Sequence, residues 1–101
     1  MILQIAIDHY GVESQLNKVD EELKELIEAL DNWRKDKTKL PELVDEIADV
    51  MIMLEQLEMI ASDICEVIVP ILVDHRTEYK LNRLKQRIED DNDKSRLIQK
   101  D

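Results

Sequence analysis

The chain has 101 residues and 44% hydrophobic content, a size expected to hold a single domain rather than two. One glycine, two prolines and no phenylalanine exclude sandwiches and barrels, which need many tight turns, and leave an all-α composition. Fourteen basic against 24 acidic residues give a formal charge of −10, which repels nucleic-acid backbones and anionic membranes and attracts cations or basic partners.

A short leading helix is expected over Met1 to Tyr10, ending at Gly11, the residue type that most easily takes a helix-terminating conformation. From Val12, the residues Leu16, Val19, Leu23, Leu26, Ile27 and Leu30 recur at steps of three and four, predicting a long amphipathic helix to about Trp33. Arg34 to Lys39 is polar and mostly basic. Pro41 then suits a first helical position, where a missing N–H costs nothing, and Glu42, Asp45 and Glu46 complement the positive helix end. This second long helix is expected to reach about Ile60, with a break near Ala61 to Asp63 because Ser62, Asp63 and Glu66 offer capping chemistry. Pro70 either kinks the third long helix or marks its start. The helix continues through Leu81, Leu84 and Ile88, and the charged segment 90–101, with little to bury, is expected to be a flexible tail after a domain spanning 1–89.

No uncharged stretch is longer than Val67 to Val73, which is far shorter than the ~20 apolar residues of a membrane span. The amino terminus lacks the basic and cleavage regions of a signal peptide, so a cytoplasmic protein is expected. Cys65 is the single cysteine and is expected to serve packing.

Two acidic pairs stand at helical spacing: Glu22 with Glu25, and Glu46 with Asp49. The same interval recurs at several other places in so acidic a chain, so context decides. From Ile47 to Leu54 every residue except Asp49 is apolar, which predicts burial on all sides and leaves Asp49 needing a cation, a basic partner or a proton. A helical hairpin that faces the two pairs across its interface would gather four carboxylates around one cavity. Oxygen-only ligands favour Mg²⁺ or Mn²⁺, and neither His9 nor His75 follows a Glu by three residues as helical di-iron sites require.

Glu21-Glu22-Leu-Lys-Glu25, followed after twenty residues by Glu46-Ile-Ala-Asp49, resembles the EExxE and ExxD motifs of the MazG-like all-α nucleotide pyrophosphohydrolases. The resemblance covers about Gln15 to Ile88 and includes the flanking QLNKVDEELKELIEAL and ELVDEIADVMIMLEQL. It implies a helical bundle completed by oligomerisation, as a homodimer or homotetramer. It also implies Mg²⁺-dependent cleavage of nucleoside triphosphates between the α and β phosphates, in house-cleaning or nucleotide-pool control. By the same resemblance Glu22, Glu25, Glu46 and Asp49 are metal ligands, Glu21 orients a ligand or a basic side chain, and Lys80 and Arg83 contact phosphates. The segment between Glu58 and Tyr79, with Pro70, departs from short relatives, which bears on the register of Lys80 and Arg83.

Read from chemistry alone, Glu25 or a neighbouring ligand accepts a proton from the attacking water, and Lys80 and Arg83 otherwise form a solvated basic face. Trp33 stacks on a nucleobase or seals a core edge, Gln15 and Asn17 reach toward a base, and Met51, Met53 and Met59 fill the core. Two rival functions remain: a dimeric deoxyuridine or deoxycytidine nucleotide hydrolase on the same scaffold, and a non-catalytic acidic helical module that binds a partner or mimics nucleic-acid charge.

Overall fold

The computed structural model describes residues 1–99, all of whose regular structure is helical: α1 (Ile2–Tyr10), α2 (Val12–Lys35), α3 (Leu40–Cys65) and α4 (Val69–Gln99), with a 3₁₀ turn at Lys37–Lys39. There is thus one short helix and three long ones, as the apolar periodicity predicts. No helix among the described residues is long and apolar enough to cross a membrane. The chain divides into two compact units, residues 1–67 and 68–101.

In the first unit, Gly11 separates α1 from α2 at φ 91° and ψ 154°, while its N–H donates to the Ile7 carbonyl at 2.8 Å. Only glycine takes that backbone geometry without strain. At the far end of α2, Asp36 accepts hydrogen bonds from the Thr38 backbone N–H at 3.0 Å and its hydroxyl at 2.7 Å, turning the chain within four residues. Those bonds hold the Asp36 carboxyl below its usual pKa. Lys37 closes the helix by donating to the carbonyls of Trp33 and Arg34 at 3.2 and 3.0 Å.

So short a turn makes α2 and α3 antiparallel neighbours. Gln15 Nε2 donates to Gln56 Oε1 at 2.8 Å, and Glu25 stands against Glu46 further along, so partners descend α3 as they ascend α2. The apolar core comprises Ile7 of α1, Val19 and Ala29 of α2, and Leu43, Val50, Met53 and Ile60 of α3. Each of the larger ones contributes about 1.5–3 kcal/mol on burial.

Burial is one-sided. The expectation that Ile47 to Leu54 is enclosed all round does not hold: Val50 and Met53 are buried, whereas Ile47, Met51, Ile52 and Leu54 are exposed, Met51 by 66%. The physical reason is that a hairpin covers one face of each helix. Leu23 and Ile27 are likewise exposed, and the inward row of α2 runs instead through Gln15, Val19, Glu22, Leu26, Ala29 and Trp33. Cys65, expected in packing, is exposed.

The expected break at Ala61 to Asp63 is displaced. The Ser62 hydroxyl donates back to the Glu58 carbonyl at 2.7 Å, a bond that lets serine stay inside a helix, and α3 runs on to Cys65. It ends at Glu66, which takes the left-handed conformation (φ 56°, ψ 40°), with the Val67 N–H reaching the Ser62 carbonyl at 3.3 Å. This is a Schellman-type end built without glycine.

In the second unit, α4 begins at Val69, so Pro70 occupies its opening turn and does not kink it. The helix runs without interruption past the anticipated boundary at residue 89 and through the charged segment to Gln99; residues 100 and 101 of the expected tail lie outside the described residues. Ile71, Leu81, Leu84 and Ile88 are all exposed.

A β-carbon in the left-handed region costs about 1–2 kcal/mol, part of which glycine gives back through its greater freedom when unfolded. Glu66→Gly is therefore expected to stabilise the protein by roughly 0.5–1 kcal/mol, read as a higher urea midpoint, and Glu66→Val to lower it.

Candidate metal centre

Val19, Glu22 and Ala29 lie on the inward row of α2, so Glu22 is carried into the interface by the same helical repeat that carries the apolar residues. It is 6% exposed. Glu25 is one turn further along α2, and Glu46 comes from the second turn of α3, both half-buried. One carboxylate oxygen from each of Glu22, Glu25 and Glu46 lies within 4.8 Å of the other two.

The chain itself leaves this cluster partly unsatisfied. Lys18, one turn before Glu22, places its ammonium 3.2 Å from Glu22 Oε1 and 3.6 Å from Glu21 Oε1. The Glu22 bond, followed by the charge of Glu21, raises the pKa of Lys18. Glu22 Oε2 and Glu46 Oε2, however, are buried with no hydrogen-bond partner. Buried carboxylate oxygens without donors are costly, and native proteins normally satisfy them with a proton, a cation or water.

Protonation equilibria register the strain. Burial is the first cause raising Glu25, followed by the charge of Glu22; burial is likewise first for Glu46, followed by the charges of Glu22 and Asp49. Octahedral oxygen donors at ~2.1 Å from one ion are ~3.0 Å apart when adjacent and ~4.2 Å when opposite, so the three carboxylates would have to close up to bind one Mg²⁺- or Mn²⁺-sized ion together. With three carboxylates and no nitrogen or sulfur donor in the group, a metal ion held there would be a hard divalent cation.

Asp49 does not join the three. It is exposed, so burial does not oblige it to find a cation, and it acts on Glu46 through charge. The desolvated carboxylate is Glu22 instead. Glu21 is exposed and held near Lys18. Gln15, expected to reach a base, is buried with its amide committed to Gln56, and Asn17 is exposed. Trp33 is half-buried, with the Lys37 ammonium 4.1 Å from its ring centroid. Lys80 and Arg83 are exposed on α4, in the second unit, where the Arg83 guanidinium lies 5.8 Å from the Tyr79 ring. His9 and His75 are on the surface, Met53 is buried, Met59 half-buried and Met51 exposed.

Beside the cluster is a half-open cleft of about 320 Å³, lined in part by Glu25 and Glu46. Beyond them it is bounded by Glu28, Ala29 and Asn32 of α2 and by Lys39 and Glu42 where α3 begins. Of these, Ala29, Asn32, Glu28 and Lys39 are not singled out by the sequence motifs. The signal that reaches the first two is the continuation of the α2 row past Glu25 by one and two turns. Lys39 is placed by the turn, which has no such pattern.

Comparison of the chain with family models, curated proteins and solved structures found no match.

Because Glu25 and Glu46 titrate above the usual 4.5, the folded state holds protons that the unfolded chain has released. Their contribution to stability falls as pH rises from 4.5 through the raised values and does not return above them. In chelator, the melting temperature is expected to fall across that interval less steeply for Glu46→Gln than for the parent chain. Parallel curves would show that the cluster is not strained.

Proposed function

We propose that this protein is a Mg²⁺-dependent nucleotide pyrophosphohydrolase that converts nucleoside triphosphate and water into nucleoside monophosphate and pyrophosphate, serving the nucleotide pool of the cytoplasm. The observation that carries the reading is the buried Glu22 and Glu46 oxygens without partners, inside a three-carboxylate group beside an open cleft. The likeness of Glu21 to Asp49 to the EExxE and ExxD motifs supports it.

Glu22, Glu25 and Glu46 would hold the ion, with Asp49 beside Glu46 as a fourth acidic group; Mn²⁺ meets the same donor set. A bound dication supplies charge neutralisation at phosphate oxygens and acidifies a ligated water. Lys18 holds Glu22 in place through its ion pair, and Glu21 shares that ammonium. Glu25, at the junction of cluster and cleft, accepts the proton as water attacks the α phosphorus and the bond to the bridging oxygen breaks. Pyrophosphate is the leaving group. Lys80 and Arg83 are assigned to phosphate oxygens by the resemblance; Trp33, from its aromatic ring alone, is a candidate for stacking on a base.

Self-association belongs to the same reading. A single helix in water is marginal, yet α4 carries Leu81, Leu84 and Ile88 exposed at helical steps, and α3 carries Ile47, Met51 and Leu54 exposed opposite its buried row. A second copy covers such faces as a homodimer or homotetramer. Light scattering at micromolar concentration is expected to return a multiple of the chain mass; a monomer would refute this part.

With Mg²⁺ and a panel of ordinary and modified nucleoside triphosphates, the expected product is pyrophosphate rather than phosphate. Glu46→Gln is expected to lower turnover by roughly 100-fold and Glu25→Gln by about 10²–10⁴-fold. Turnover unaffected by Glu46→Gln would remove the site assignment.

A further inference from the structure

The cleft has a composition that says which end of a substrate it can take. Leaving Glu25 and Glu46, its walls present two more carboxylates, Glu28 and Glu42, one ammonium, Lys39, one amide, Asn32, and the small side chain of Ala29. A phosphate chain laid along that stretch would meet two anionic groups for each cationic one. The positive end of α3 does not reverse the balance, because Glu42 lies in its first turn and Pro41 brings no N–H. A neutral group rich in N–H, O–H and carbonyl functions meets the opposite situation. Carboxylates accept from hydroxyl and amino groups, the ammonium donates to ring or sugar oxygens and nitrogens, and the amide does both. The volume of about 320 Å³ lies at the low end of small-molecule sites, ~300–1,000 Å³, and suits one nucleoside rather than a larger ligand. Ala29 is buried against the helix pair and leaves that space open.

We infer that the cleft bounded by Glu28, Ala29, Asn32, Lys39 and Glu42 receives the nucleoside end of the substrate, while the phosphates stay at Glu25 and Glu46. The inference rests on the pyrophosphohydrolase reading and adds to it a direction of binding and a set of specificity-determining residues. Lys39, although basic and beside the acidic cluster, contacts base or sugar and not the phosphate tail. Selectivity then falls on groups able to donate to Glu28 and Glu42, such as a sugar hydroxyl or an exocyclic amine.

The test separates the two ends of the substrate. Steady-state kinetics with Mg²⁺ are run on the triphosphate the parent chain turns over best, with inorganic tripolyphosphate, which has no nucleoside, as competitor. The variants are Asn32→Leu, Glu28→Gln and Lys39→Met, all at exposed positions where folding is readily retained and is checked by circular dichroism. The expected result is a KM raised about tenfold by Asn32→Leu and Glu28→Gln, kcat within about twofold, and inhibition by tripolyphosphate unchanged in all three. As a readout independent of turnover, the corresponding nucleoside monophosphate with Mg²⁺ raises the melting temperature of the parent chain and not that of Asn32→Leu. An unchanged KM, or tripolyphosphate inhibition weakened in step with KM by Lys39→Met, overturns the inference while leaving the hydrolase reading intact. Absence of pyrophosphate release from the parent chain across the whole panel removes the hydrolase reading, and this inference with it.

Discussion

The arrangement depends on one unfavourable contact: three carboxylates held within 4.8 Å of one another by the pairing of α2 with α3. As ionised groups the three repel one another, and hydrogen bonding among the carboxyls, which needs a retained proton, offsets this only in part. Their closeness is imposed by the apolar residues on either side, Val19 and Ala29 along α2 and Leu43 and Val50 along α3, which bring the backbones together regardless of what stands between them. The hydrophobic contacts thus hold a charge density that the acids alone would disperse, and Lys18 compensates only Glu22 and Glu21. The raised protonation of Glu25 and Glu46 is the visible cost of this imposition.

The same hairpin explains why the outer surface is so apolar. One helix pair can cover only the facing sides, and among the described residues the seven buried apolar ones form a thin core in which no large side chain is fully sealed. Small domains with that little enclosed surface are marginal. The exposed row of Ile47, Met51 and Leu54 on α3 and the apolar positions of α4 are what such a chain has left over for further contact.

Much of the helix plan was legible in the sequence because Gly11 and Pro41 punctuate it and the apolar steps are regular between them. The displaced end of α3 was not, since Ser62 can cap a helix or bond backward within one, and only the local geometry chooses. The acidic pairs were legible as a spacing, but the burial of each member was not. A run of apolar residues around Asp49 looks enclosed until one counts how many helices are available to enclose it. Glu22, among charged neighbours, looks solvated although it stands on the row of Gln15, Val19 and Ala29. Periodicity locates a row; which row faces inward depends on all residues sharing it, polar ones included. The cleft at Asn32 and Lys39 depends on a turn that brings two helix ends side by side, and a turn leaves no periodic trace.

Polar residues enter the α2/α3 interface at two levels with opposite character. At one level Gln15 and Gln56 satisfy each other; at the other, carboxylates oppose one another. The amide pair carries no net charge, so it aligns the two helices in the same way at any ionic strength, whereas the acidic level is sensitive to every counter-ion in the medium. Charge at the acidic level can therefore change widely without the helices losing their vernier: the element that measures position has been kept separate from the element that responds.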